Sequence, residues 1–537
     1  MKGLAATALA LLAAPTSQSP FLELTPIPFV LRNAATPEKH QIETMAGGVA
    51  VIDFDHDGKP DLFFANGAAQ PSLRKTDSSY CNRLYRNLGN WTFEDVTDKS
   101  GLCGEGYSIG AAAADFNNDG FADLFVAGVN RSYLYRNRGD GTFEDVTAKA
   151  GVGNAGRWAV AAGWFDYDND GLLDLFVVNY VKWNPAEEPF CGNAREGYRS
   201  YCHPKLYQGL ANTLFHNNGD GTFTDVSERS GIASHIGKGM GLAFADYDGD
   251  GRMDIFVAND AVPNFLFHNE GDGRFREVAF PAGVAMNDDG RAVSSMGVDF
   301  RPMEGPLPSL FVTALINETF PLYRNLGKGL FSDATYASGV GLATLPYSGW
   351  GAGAFDFDND GRKDLFAACG DVQDNAEVYS SRKSRQSNLL MLAEAGGKFV
   401  AQPVGPPAFH RGAAFADFDG DGRVDAVVTR IGERPLVLRN RMGEGRHWIG
   451  LKLVGTRSNR DAIGARVHVV TSKGEQWNQV TTSVGYASSS DVAVHFGLGD
   501  ASRVDRLEIF WPSGTRQVVE HPQVDRYLRV IEAEAAR

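Results

Sequence analysis

The stretch Asp166-Tyr167-Asp168-Asn169-Asp170-Gly171-Leu172-Leu173-Asp174 decides how the rest of the chain is read. It sets carboxylates at positions one, three and five, a glycine for a sharp turn at six, and a last Asp at nine. The register returns five more times, at Asp53, Asp55, Asp57 and Asp61, then at Asp115, Asn117, Asp119 and Asp123. It follows again at Asp246, Asp248, Asp250 and Asp254, at Asp356, Asp358, Asp360 and Asp364, and at Asp417, Asp419, Asp421 and Asp425. One such loop is an ordinary acidic turn. Six in a single register are a repeat, and a repeat fixes the architecture first.

Oxygen donors at alternate positions suit a hard cation. Calcium takes roughly six to eight oxygens in flexible geometry, whereas magnesium keeps its waters. The helix-loop-helix calcium motif needs a bidentate carboxylate at position twelve. Here that position holds Phe64, Val126, Val177, Val257, Ala367 or Val428. The Asp at nine is therefore the expected bidentate ligand. The apolar runs after it, such as Leu175-Phe176-Val177, read as buried strands, so the ion would clip a β-hairpin. Charge points the same way. The chain has 66 acidic and 51 basic residues, a formal net of −15, and 23 of the acids lie in these loops. Carboxylates so spaced raise one another's pKa unless a cation sits among them, and six divalent ions would bring the net to about −3. About six calcium ions are the expected cofactor, bound as part of the folding free energy.

Working outward, each loop follows a run of small residues, such as Ala111–Ala114 or Gly351–Ala354, as strands crowded around an axis require. A second motif shares the period: 84–97, 134–147 and 214–227, with weaker copies at 266–279 and 322–335. Each copy reads as strand, glycine-rich turn, strand. Asp299-Phe300-Arg301-Pro302 reads as a seventh member that keeps the Asp-aromatic start and has lost its ligands. With four strands to a unit and seven units, the expected fold class is all-β: a seven-bladed β-propeller with calcium-binding hairpin loops. From about residue 446 the loops stop. Alternating strands at Trp448–Val454, Ala465–Val470, Val492–Phe496 and Leu507–Trp511 suggest a small C-terminal β-sandwich.

The loop pattern resembles the FG-GAP/VCBS repeats of integrin α-subunit propellers and of the cartilage acidic protein family. Three stretches, Asp461–Val467, Val494–Gly499 and Trp511–Gly514, resemble the ASPIC/UnbV domain that follows such propellers, and Glu43–Gly48 also looks like that family. The resemblance implies calcium at the 24 loop positions named above, on one face of the disc, with the 299–311 unit metal-free. The implied organisation is a signal peptide over 1–19, a propeller over 20–445 and an ASPIC/UnbV-like sandwich over 446–537. Residues 1–19 fit a short secretory leader in their own right, with Lys2 ahead of an apolar run from Leu4 to Ala14.

Five cysteines allow at most two bridges. Cys191 and Cys202 bracket an insertion over about 180–211 and form the first candidate pair, Cys81 and Cys103 the second, and Cys369 reads as a buried thiol. Gly106-Tyr107-Ser108-Ile109-Gly110 satisfies the nucleophile-elbow pattern only in letters, because it lies in a strand of an all-β repeat. Arg157, Trp158, Trp164, Tyr347 and Trp350 could line a central pocket or simply pack the blades. No basic cluster points to nucleic acid and no later segment spans a membrane. The reading that follows is a secreted or periplasmic binding or adhesion scaffold. Its partner would be a protein or a glycan, bound at the propeller face or the C-terminal domain. The alternative is an enzyme (lyase, cyclase or hydrolase) acting in the propeller funnel.

Overall fold

The computed structural model describes residues 19–534, so nearly all of the expected leader lies outside the described residues. Seven four-stranded antiparallel sheets fill the first part of the chain. Their innermost strands are Val49–Ile52, Ser108–Ala114, Ala159–Phe165, Gly239–Ala245, Val298–Pro302, Gly349–Phe355 and His410–Ala416. Each lies against the next in chain order, and the seventh lies against the first, which closes a propeller. The small residues ahead of the loops are explained by this crowding. A Cβ on Gly110 would collide with the Val160 carbonyl of the next sheet, and one on Gly297 with that of Trp350.

The last sheet is completed from the other end of the chain. Phe21–Leu24 pairs antiparallel with Leu436–Asn440, Phe21 opposite Asn440. Nothing in its four residues marks it as an outer blade strand, and sequence reasoning did not place it. The sandwich has one sheet of Val494–Gly499, His447–Val454 and Tyr527–Ile531, the last pair parallel. Its other sheet is Gly474–Gln479, Arg466–Thr471, Arg506–Phe510 and Arg516–Glu520. Between them Ile449, Leu451, Val467, Phe496 and Ile509 are buried. Both expected disulfides are present, Cys81–Cys103 and Cys191–Cys202, and Cys369 is a buried free thiol. Among the described residues no helix is long and apolar enough to cross a membrane.

One sequence expectation is corrected here. Asp299 is not the counterpart of the first loop Asp. It pairs with Phe311 inside its hairpin, as Ala243 pairs with Phe256 in the sheet before. The position-nine site in the fifth sheet falls to Ser309, whose hydroxyl accepts the Asn325 amide at 3.3 Å. Strand register, which local similarity does not reveal, moves the unit by three residues. Asp299 instead holds Arg301, whose Nε lies 2.9 Å from both carboxylate oxygens.

Candidate functional site

Each acidic loop is curled by its own backbone. The first Asp takes the N–H groups of positions five and six: Asp115 accepts from Asp119 at 3.0 Å and from Gly120 at 2.7 Å. Asp166, Asp246, Asp356 and Asp417 repeat this pair, while Asp53 accepts from Gly58. The Asp at five accepts the N–H of position seven in all six loops. The chain can turn this tightly because positions four and six are left-handed. Asn118 has φ 57° and Gly120 φ 95°, and position four is otherwise His56, Asn169, Asn359, Gly249 or Gly420. Asn and Gly tolerate that region best.

The Asp at nine is fully buried and engaged before any ion is considered. Asp174 Oδ2 accepts the Tyr167 N–H at 3.2 Å and Oδ1 accepts that of Asn217 at 2.8 Å. Asn217 then donates its side-chain amide to Leu173 O and, at 2.9 Å, to Phe116 O in the loop of the preceding sheet. Asn87, Asn137, Asn269, Asn325 and Asn440 make the same cross-blade bond, and Asn87 reaches Phe418 of the seventh sheet. The sixth sheet has Ala393 in that place, where its N–H still meets Asp364. The second sequence motif, which opens with Leu84-Tyr85-Arg86-Asn87, marks the strand but not this role for its Asn.

Carboxylate oxygens of positions one, three and five come within 4.8 Å of one another at Asp53, Asp55 and Asp57, at Asp166, Asp168 and Asp170, and at Asp246, Asp248 and Asp250. Position nine joins position three through a histidine in Asp168, Asp174 and His216, and in Asp248, Asp254 and His268. The residue before the cross-blade Asn supplies that histidine. In the first, second, fifth and seventh sheets it is an arginine instead, and two of these reach position three, Arg86 on Asp55 at 2.6 Å and Arg439 on Asp419 at 2.8 Å. Burial pushes Asp115, Asp166, Asp356 and Asp417 up to about 7, against an ordinary carboxylate value of about 3.9. Burial raises Asp53 and Asp246 as well. Asp53 Oδ1, Asp55 Oδ1 and Asp419 Oδ1 are buried with no hydrogen-bond partner. Such acceptors cost free energy unless a donor or cation meets them, and an all-oxygen set suits calcium.

The C-terminal sandwich sits directly on these loops. Asp461 Oδ2 accepts the Asp115 N–H at 2.8 Å, and Asn118 Oδ1 accepts that of Arg460 at 2.8 Å. Arg466 lies 3.4 Å from Asp246, and Tyr527 donates to Asp417 at 3.2 Å. A segment over 480–491, between two sandwich strands, enters the hub. Gly485 exchanges backbone hydrogen bonds with Val298, and Ala487 accepts from Ala111 at 3.1 Å. Tyr486 donates to Met45 O at 2.7 Å. The loop end of the funnel is thus filled with protein. Trp158 and Trp164 are core residues, Ser108 is buried in its strand, and Trp350 stacks edge-on against Tyr486 at 5.0 Å. The 180–211 insertion crosses the opposite face, where Gln373 makes two hydrogen bonds with the Tyr201 backbone and Asn375 donates to Arg199 O.

The fold and its loops define a class, the β-propeller with an acidic-loop hairpin repeated around one face. Models of the FG-GAP-like repeat match residues 53–126, 115–177, 206–257 and 246–300, and a model described as ASPIC and UnbV matches 455–537. The chain is thus a protein of FG-GAP-like repeats with an ASPIC/UnbV domain, similar to cartilage acidic protein 1. Over 498 residues it is 26% identical to the Homo sapiens protein, covering 87% of this chain and 69% of the relative. It is 25% identical to that of Xenopus tropicalis over 502 residues, covering 88% and 72%. Among solved structures, an Agrocybe aegerita protein described as recognising non-reducing terminal N-acetylglucosamine aligns with TM-score 0.38 at 17% identity, covering 73% of this chain and 87% of that one. The Bacillus licheniformis rhamnogalacturonan lyase PL11 aligns with TM-score 0.39 at 14% identity, covering 78% and 75%.

Proposed function

We propose that this chain is a secreted or periplasmic, calcium-loaded binding scaffold. The observation that carries the calcium reading is the set of buried, partnerless oxygens on Asp53, Asp55 and Asp419, inside loops that already spend their own amides on curling the carboxylates inward. The first, third, fifth and ninth positions of the six loops would hold the ions. A bound ion would supply positive charge that offsets carboxylate repulsion and links hairpin to hairpin. Two disulfides fit an oxidising compartment. Because the sandwich occupies the loop face, a protein or glycan partner has the opposite face, where the insertion exposes Phe190, or the outer surface of the sandwich.

The test is calcium removal from the purified full chain. Chelator should lower the melting temperature by more than about 10 °C, as expected when several ions bind only the folded state. Readdition should restore it, and a pull-down should lose its partner in chelator. An unmoved melting temperature refutes the calcium reading. A partner retained in chelator, with melting lowered, refutes calcium-dependent presentation alone.

A further inference from the structure

At the end of the hub away from the acidic loops lies a cavity of about 250 Å³. Its place follows from strand direction: Met240 and Trp350 begin inner strands that run toward the loops, and Asp260 and Asp371 follow the strands that return from them. The 180–211 insertion contributes Tyr180 and Tyr201, so the cavity joins several sheets under one rim. Its walls are mixed, with Met45, Met240 and Met296 beside those tyrosines and Trp350 and a set of polar groups between them.

The polar groups in that wall share one character. Asp260 is 4% exposed; its Oδ2 accepts from Tyr180 at 2.7 Å, and its Oδ1 has no partner. Asp371 is 3% exposed; its Oδ1 accepts from the Gln373 N–H at 2.9 Å, and its Oδ2 has no hydrogen bond. Arg382 meets that same oxygen only as a long ion pair, at 3.9 Å. Gln41 is 4% exposed, with Oε1 unpartnered. Glu318 adds a third carboxylate, held by the N–H of Ser294 at 2.8 Å. Nearby cations are committed elsewhere: Arg411 donates to the carbonyls of Thr44, His410 and Asp371, and Lys238 to that of Pro204. Every buried atom without a hydrogen bond among the described lining residues is therefore an acceptor oxygen, and the wall sets three carboxylates, Asp260, Asp371 and Glu318, against Arg382 and His203.

We infer that this cavity binds a small organic ammonium ion, a primary or secondary amine. Its N–H groups would meet Asp260 Oδ1, Asp371 Oδ2 and Gln41 Oε1. A short alkyl body would lie against the methionines, with the charge over aromatic faces. Buried acceptors left unmet by a ligand without N–H donors make this selective. The site is separate from the acidic loops and does not rest on the calcium reading.

The experiment is isothermal titration of the full, calcium-saturated chain with propylammonium, tetramethylammonium and 1-propanol. Propylammonium should bind once per chain, and the other two at least about tenfold more weakly. Asp260→Asn and Asp371→Asn should each weaken propylammonium by about tenfold or more while leaving the far-ultraviolet circular dichroism of the full chain unchanged. The idea is overturned by no propylammonium binding up to roughly 10 mM. It is also overturned if the alcohol binds as tightly, or if added calcium displaces the amine. Should either variant fold poorly, the wild-type contrast between amine and alcohol still decides.

Discussion

Asn217 shows how one side chain can hold two blades. Its amide satisfies carbonyls in its own loop and in the preceding sheet, while its N–H fixes Asp174. Asn217→Ala would leave two buried carbonyls unmet and should cost about 3 kcal/mol, measured as a shift in the denaturant midpoint. Its stretch Leu214–Asn217 was legible as a strand, but the partner of the Asn lies a whole blade away and has no sequence signature. His410 makes a separate case. It is buried, its Nδ1 faces the carbonyls of Cys369 and Gln386, and burial depresses it to about 3. The unfolded chain protonates this ring at about 6.5, so its contribution is fully present above that pH and is lost as pH falls toward 3. In His410→Gln the slope of stability against pH between those values should flatten by about one proton, near 1.4 kcal/mol per pH unit.

At the scale of elements, the acidic hairpins were the most legible part of the chain. Their carboxylate spacing, the turn glycine and the strand after it are all local. The fifth hairpin failed the same reading because Asp299-Phe300 matches by composition while pairing with Phe311 sets another register. The stretch Asp461–Val467 was legible as a resemblance and, from Ala465 on, as the start of a strand. Its work is docking, with Asp461 on the Asp115 N–H and Arg466 beside Asp246. In the double variant Asp461→Ala, Arg466→Ala the Asp115 amide loses its acceptor, at a cost of about 1–3 kcal/mol. Limited proteolysis should then cut within 441–446 faster than in the wild type, and a rate equal to wild type would count against a clamp.

At the scale of the whole molecule, period and four-strand units were enough to foresee a seven-sheet ring and a sandwich after it. How the two meet was not foreseen, because nothing local marks the 480–491 segment and only the assembled hub gives it a place. The same gap explains why the donor-seeking cavity escaped notice. Gln41, Asp260 and Asp371 belong to different parts of the chain and share no motif.

The strand Phe21–Leu24 is made first, yet its berth on Leu436–Asn440 exists only after most of the polypeptide has been synthesised. A berth of four residues, supplied from so far along the polypeptide, does not distinguish its own tail from that of a neighbouring copy. Refolding at high concentration should therefore yield swapped dimers, visible as a heavier species by light scattering, whereas dilute refolding should not. Two prolines in place of Leu22 and Leu24 would remove the pairing amides and abolish the exchange, along with the closure it borrows.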